Sequence, residues 1–189
     1  IREWGMEQCI RDLRISQIYE GTNGVQSQDL IGRKTIKSGG TFIAEYIAEQ
    51  HPDKNLLPQD KKLRARARCI STEMHSGFQN LRNLCPMNVE ADLSHIGKQL
   101  WAEHEQLRNE VARIDQIWSE RPSEDQFLCG EFSIADAFYA PVVMRFECFD
   151  LPISASGKSY IDKILSLPSV QQWIAEAKQE QMFVPFDEP

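Results

Sequence analysis

Phe132-Ser133-Ile134-Ala135-Asp136 opens a run that continues through Ala137-Phe138-Tyr139-Ala140-Pro141, and the reading of this stretch decides the fold. A serine followed three residues later by an aspartate is a helix start signal. The hydroxyl can accept from the backbone N–H three residues on, and the carboxylate can reach back to the serine N–H. Ser133 and Asp136 thus approximate a capping box, worth about 1 kcal/mol, that fixes where the helix joins its neighbours. Pro141 should bend the helix, because its ring removes one backbone hydrogen bond and crowds the preceding turn.

Outward from this start, the apolar residues repeat at helical spacing. Leu63, Ala67, Ile70, Met74, Phe78 and Leu81 recur every three or four positions, which predicts one long core-facing helix closed by Cys85-Pro86. Ile96, Leu100, Leu107, Val111, Ile114 and Trp118 predict a second, ending before Arg121-Pro122. Ile43, Ala44, Tyr46, Ile47 and Ala48 form a brief apolar helix that must stop at His51-Pro52, since a residue before proline is driven out of the helical region. Two shorter helices are expected over 159–165 and 169–178, the last begun by Pro168. Near the start of the chain, Met6, Ile10 and Leu13 lie at helical intervals, and Thr22 begins a second segment carrying Val25, Leu30 and Ile31. That segment should fail at Ser38-Gly39-Gly40, because each glycine costs a helix about 1 kcal/mol against alanine. No period-2 strand pattern and no internal repeat occurs, so the expectation is an all-α bundle of five to seven helices.

Composition narrows the function classes. The chain has 189 residues, with 41% hydrophobic and 26% charged, which is ordinary for a globular protein. A net charge of -7 argues against a non-specific grip on nucleic acid, which needs clustered Lys and Arg. The one basic run, residues 61–68, is interrupted by apolar residues at helical spacing and reads as a solvated helix face, with an anion-binding strip as the alternative. No stretch approaches the roughly 20 apolar residues of a membrane span and no signal pattern opens the chain, so no membrane partner and a cytoplasmic address are expected. The chain opens on Ile1 rather than Met, so the expectation is that something upstream has been removed or never belonged to it. Cys9, Cys69, Cys85, Cys129 and Cys148 lack Cys-x-x-Cys spacing and read as reduced thiols, Cys69 in the core. His51, His75, His95 and His104 have no partner at metal-ligand spacing, so no metal site is expected.

From Thr41 to the end, the chain resembles the helical C-terminal part of a bacterial glutathione transferase. The stretches that carry this are Ile43-Ala44-Glu45-Tyr46-Ile47-Ala48-Glu49, Glu73-Met74-His75-Ser76-Gly77-Phe78, the run from Phe132 to Phe146, and Leu167-Pro168-Ser169-Val170 with Trp173. The resemblance implies that Ser133 and Asp136 serve folding rather than chemistry. It also implies glutathione as cosubstrate, bound mainly by a preceding thioredoxin-like domain of which only the last helix, residues 41–49, is present. Thr41 is the one candidate for the γ-glutamyl end, in a register that is broken before Ile43. Met74, Phe78 and Arg82 would lie near the pocket of a small-molecule electrophile, the competing reading being that Met74 and Phe78 are plain core residues. A bundle lacking its thioredoxin-like partner leaves an apolar flank that favours a homodimer, unless the N-terminal residues fold over it.

The first 38 residues resemble something else. Trp4-Gly5-Met6-Glu7-Gln8, Arg11-Asp12-Leu13-Arg14 and Ile18-Tyr19-Glu20-Gly21-Thr22-Asn23-Gly24-Val25-Gln26 look like the last helical domain of an acyl-CoA dehydrogenase of the methylthiopropanoyl-CoA type. By that resemblance Glu20 is the base that removes the α-proton while a hydride leaves for FAD. A carboxylate in an apolar, flavin-capped pocket has its pKa raised toward neutrality, where it is a useful base. The preceding domains that would hold the flavin are not in this stretch, so the positioning that the base needs is missing. The division expected is therefore 1–38, dehydrogenase-like; 39–58, a junction with the last thioredoxin-like helix and a linker; and 59–189, the transferase-like bundle. The leading reading is an apparent chimera with no complete active site. The alternatives are a residual glutathione transferase whose thiol site comes from another segment or chain, and a fragment of a flavin enzyme.

Overall fold

A computed structural model describes residues 41–179, with Thr41, Phe42 and Ile43 described by backbone only. The readings over 1–40, including both N-terminal helices, Glu20 and the Gly39-Gly40 join, lie outside the described residues. From Ala44 onward the described residues belong to one compact unit. They fold into eight α-helices and no strand, with a single isolated bridge between Phe127 and Gly130. The all-α expectation therefore holds for the described residues, while their eight helices exceed the five to seven expected.

Helix α1 (Thr41–Gln50) stops one residue before His51-Pro52, where the proline forbids continuation. A 3-10 turn, Pro52–Lys54, follows and ends on Asn55 in the left-handed region at φ 47°. Helix α2 (Lys61–Ser76) starts from Asp60, whose carboxylate accepts from the N–H groups of Lys62 and Leu63, both at 2.9 Å. Such a cap satisfies donors that the first turn leaves unpaired.

Helix α2 does not run on through Phe78 as the apolar stripe predicts. It ends at Gly77, Phe78 takes a left-handed φ of 55°, and a short helix α3 (Gln79–Leu84) begins afresh. Two side chains hold the break open. The Glu110 carboxylate accepts from the backbone N–H of Asn80 at 3.2 Å, from that of Leu81 at 2.8 Å and from the Asn80 amide at 2.8 Å. Arg82 donates to the carbonyl of His75 at 2.6 Å, satisfying the end of α2. The stripe survives the break, since Ala67, Ile70, Phe78 and Leu81 are all buried. Replacing Glu110 with Ala strands the two N–H groups and is expected to cost about 2 kcal/mol. Urea unfolding checks this, as a lower midpoint at unchanged slope.

The second long stripe is also two helices, α4 (Ser94–Glu103) and α5 (Glu105–Ser119), separated at His104 with φ -114° and ψ 99°. No Gly or Pro marks this break. The Arg108 guanidinium stabilises it by donating to the carbonyls of Trp101 at 2.5 Å and Ala102 at 3.3 Å, which the end of α4 leaves without helical partners.

Helix α6 (Ile134–Phe149) is the axis of the unit, with Pro141 inside it and nine of its residues buried. Helices α2, α4 and α7 (Ala155–Leu165) pack around it. Trp118 of α5 fills the centre, fully buried, with its ring 5.0 Å from both Phe146 and Tyr160 and edge-on to Tyr139 at 6.2 Å. Helix α7 begins a turn earlier than predicted because the Ser154 hydroxyl accepts from Gly157 N–H at 3.1 Å and donates to Asp115 at 2.6 Å. Helix α8 (Pro168–Ala177) begins at its proline as expected. Cys69 is exposed and not in the core; the interior place falls to its neighbour Ile70, one helical step of about 100° away.

Candidate functional site

The densest polar site surrounds Asp136, which has no solvent exposure. Its Oδ2 accepts from the Ser133 N–H at 2.9 Å and the Ser133 hydroxyl at 3.1 Å, and its Oδ1 from the Leu128 N–H at 3.0 Å and the Tyr160 hydroxyl at 3.1 Å. Both halves of the capping box are present. The Asp136 N–H makes its short bond, 3.1 Å, to the Ser133 carbonyl, so the carboxylate half is the stronger one. Burial holds the Asp136 carboxyl above the usual carboxylate range, against the pull of its donors. Burial also raises the Tyr160 phenol, reinforced by the Asp136 charge, and so keeps it a proton donor. The buried Arg121 lies over the Tyr160 ring at 5.4 Å and donates to the carbonyls of Glu124 and Ser156 at 3.2 and 3.3 Å. The arrangement ties the 126–133 loop, α6 and α7 together. The roles of Leu128, Tyr160 and Arg121 in it are not marked in the sequence by any spacing.

Of the residues expected near an electrophile pocket, Phe78 is buried, Met74 packs against the core, and Arg82 is engaged with the His75 carbonyl. Thr41 is the first residue of α1. Four of the clefts formed by the described residues open elsewhere. One of about 240 Å³ lies between α1 and α2 and is lined by Glu45, Glu49, Arg64 and Arg68; there Arg68 is paired with Glu45 at 2.6 Å. A second of about 270 Å³ is lined by Val89, Met144, Cys148 and Leu165, and a third of about 420 Å³ by Asp150, Pro152, Lys158 and Ile161. The fourth, about 400 Å³, lies between residues 57–63 and the 126–133 loop. Met74, Phe78 and Arg82 line none of these four.

The basic run differs from a plain solvated face. Lys61 and Lys62 are exposed, but Arg66 donates to the Ile117 carbonyl at 2.8 Å, to Glu120 at 2.9 Å and to the Leu128 carbonyl at 3.4 Å. It therefore cross-links α2 to the end of α5 and to the loop beyond. Among the described residues no group of His, Cys, Asp and Glu is arranged to hold a metal ion, and no helix is long and apolar enough to cross a membrane.

The thiols divide sharply. Burial pushes Cys85 up to about 12 and Cys129 up to about 11, and raises Cys148, whose Sγ donates to the Asn88 carbonyl at 2.8 Å. Only thiolate reacts with alkylating reagents. Iodoacetamide at mild alkaline pH should thus label Cys69 well before Cys85, Cys129 and Cys148, which become reactive on denaturation. Peptide mass mapping over time reads this order, and early labelling of Cys129 would contradict it.

No family model matches the chain. It is 24% identical over 149 residues to a stringent starvation protein A homolog of Haemophilus ducreyi, covering 77% of this chain and 65% of that protein. It is 32% identical over 125 residues to maleylacetoacetate isomerase of Rattus norvegicus, covering 65% of this chain and 55% of that protein. It is 52% identical over 51 residues to 3-methylmercaptopropionyl-CoA dehydrogenase of Ruegeria pomeroyi, covering 25% of this chain and 9% of that protein. The chain thus spans less than two thirds of the length of these relatives. Distant homology to stringent starvation protein A and the glutathione-transferase superfamily is present, together with a short, high-identity match to the acyl-CoA dehydrogenases.

Proposed function

We propose that residues 59–189 are the C-terminal helical domain of a glutathione-transferase-superfamily protein, inactive alone because its glutathione site is incomplete. Residues 39–58 form the junction and linker, and 1–38 are a dehydrogenase-like segment joined to it as a chimera. The observation that carries this reading is the use made of the pocket candidates: Phe78 is in the core and Arg82 is committed to a helix end. A site needs groups convergent on a shared space, and a fold alone does not supply them. On this reading Ser133 and Asp136 are structural, Thr41 is a remnant of the γ-glutamyl site, and Glu20 is a base separated from its FAD. An apolar flank normally covered by a thioredoxin-like domain would favour a homodimer.

The test is direct. Titration calorimetry with millimolar glutathione should give no saturable heat, a chlorinated aromatic should not be conjugated, and the chain should stay colourless after incubation with FAD and desalting. A second reading, a residual glutathione-dependent enzyme completed by another segment or chain, is supported by the similarity to an isomerase. Saturable glutathione binding with turnover would select it over the first, and a bound flavin spectrum would select the dehydrogenase-fragment reading.

A further inference from the structure

The cleft between residues 57–63 and the 126–133 loop combines an apolar lining with carboxylates, as the 270 Å³ cleft with Glu90, Asp92 and Glu147 also does, but of the four it alone carries an exposed aromatic side chain. Leu57, Leu63 and Cys129 form its apolar floor, Phe132 stands at its edge, and Asp60 and Glu131 are the charged residues of its lining, which holds no Lys, Arg or His. Phe132 is 40% exposed, a large apolar side chain left in water. It is nonetheless fixed, with its ring edge-on to Phe127 at 5.4 Å, while Phe127 is itself covered by the Lys163 ammonium at 4.5 Å.

The walls are built rather than loose. The Ile134 N–H donates to the Leu56 carbonyl at 2.9 Å, clamping the two segments together, and Phe127 and Gly130 exchange backbone bonds of 2.8 and 3.1 Å. Gly130, at φ 98°, has nothing within 4 Å of where a Cβ would sit, so a backbone can approach it closely. Glu131 is exposed and in no ion pair among the described residues, and Asp60 uses only Oδ1 to cap α2. A preformed apolar groove lowers the ordering cost of binding, and single-sign carboxylates at its rim draw in cations.

We propose that this groove docks a segment of a partner protein in which apolar side chains are flanked by Lys or Arg. The apolar residues would cover Phe132 and the Leu57–Leu63 floor, and the basic groups would pair with Glu131 and the free oxygen of Asp60. The proposal is independent of the glutathione question.

The probe is an acetylated, amidated tetrapeptide reading lysine, leucine, phenylalanine, lysine, titrated into the full chain with backbone amide NMR as readout. Expected are saturable shifts at Leu57, Gly130, Glu131 and Phe132 with a Kd below roughly 1 mM. Binding should weaken about fivefold or more when glutamates replace the lysines, and likewise when alanines replace the apolar pair. Glu131→Lys should reverse the preference between the lysine and glutamate peptides, and Phe132→Ala should weaken both. A melting temperature unchanged in each variant confirms that the fold is kept; in a variant that fails this, the two control peptides on the unaltered chain decide. Shifts absent or confined to other residues, equal affinity for the three peptides, or concentration-dependent shifts of the same residues without peptide, which would mean a second copy as occupant, each overturn the proposal.

Discussion

Asp136→Ala is expected to lower the stability of the helical unit by about 4 kcal/mol. The substitution leaves the N–H groups of Leu128 and Ser133 and the Tyr160 hydroxyl without their acceptor, in a place with no exposure to water. Each buried donor left unpaired costs about 1–3 kcal/mol, and relaxation recovers only part of that. Urea denaturation followed by circular dichroism measures the loss as a shift in midpoint. A loss below about 1 kcal/mol would mean that water replaces the carboxylate at little cost. Asp136→Asn separates charge from shape. The folded carboxyl is raised by burial, so the folded state holds its proton more tightly than the unfolded chain does. The stability this group contributes is greatest below the unfolded pKa and is lost as pH rises through the folded one. The advantage of the native residue over Asn should therefore narrow as pH rises above about 4, the ordinary carboxylate value.

Gly97→Ala should cost about 3 kcal/mol or more, against the grain of helix propensity. Alanine in a helix interior is ordinarily favoured over glycine by about 1 kcal/mol. Here a Cβ would lie 1.8 Å from the carbonyl oxygen of Phe149 and 2.8 Å from its carbon. Those are main-chain atoms at the end of α6, next to the Leu93 N–H bond to the Cys148 carbonyl at 2.8 Å, so relief requires α4 to move away from α6. Gly157→Ala is the comparison. Its Cβ would meet Ile153 Cγ1 at 2.4 Å and the Asp115 carboxylate at 2.6 Å, side-chain atoms that can shift by rotation where main-chain atoms cannot, and the loss should be smaller. Thermal unfolding of the two variants side by side gives the ranking, and equal losses would remove the distinction between main-chain and side-chain obstruction.

The parts of this fold that were legible in the sequence are those governed by local rules. The Ser133 and Asp136 cap, the stop before Pro52 and the start at Pro168 each depend on residues within four positions of one another. The periodic residues also went to the interior, Leu107, Val111, Ile114 and Trp118 among them. The two helix breaks were not legible, because the groups that stabilise them are distant or carry no local signal. Phe78 is an unexpected residue for the left-handed region, and Glu110, which makes that break tolerable, is 30 positions downstream of Asn80. Arg66, seen as part of a basic run, is a cross-link to backbone 51 positions away. Of the candidate site, the cap was legible and its completion by Leu128 and Tyr160 was not, since a backbone donor in a loop and a tyrosine on the next helix, 24 positions away, have no spacing to reveal them.

The Glu110 cap also orders events in time. Helix α3 has six residues, too few to hold together in water before its neighbours arrive, because nucleation is costly and elongation too brief to offset it. Its first turn acquires its acceptor only after α5 has docked. On a folding pathway α3 is thus a late arrival: changes at Glu110 should leave the folding rate nearly untouched and appear as faster unfolding. The segment that interrupts the long stripe would then be the first to be released when the molecule opens.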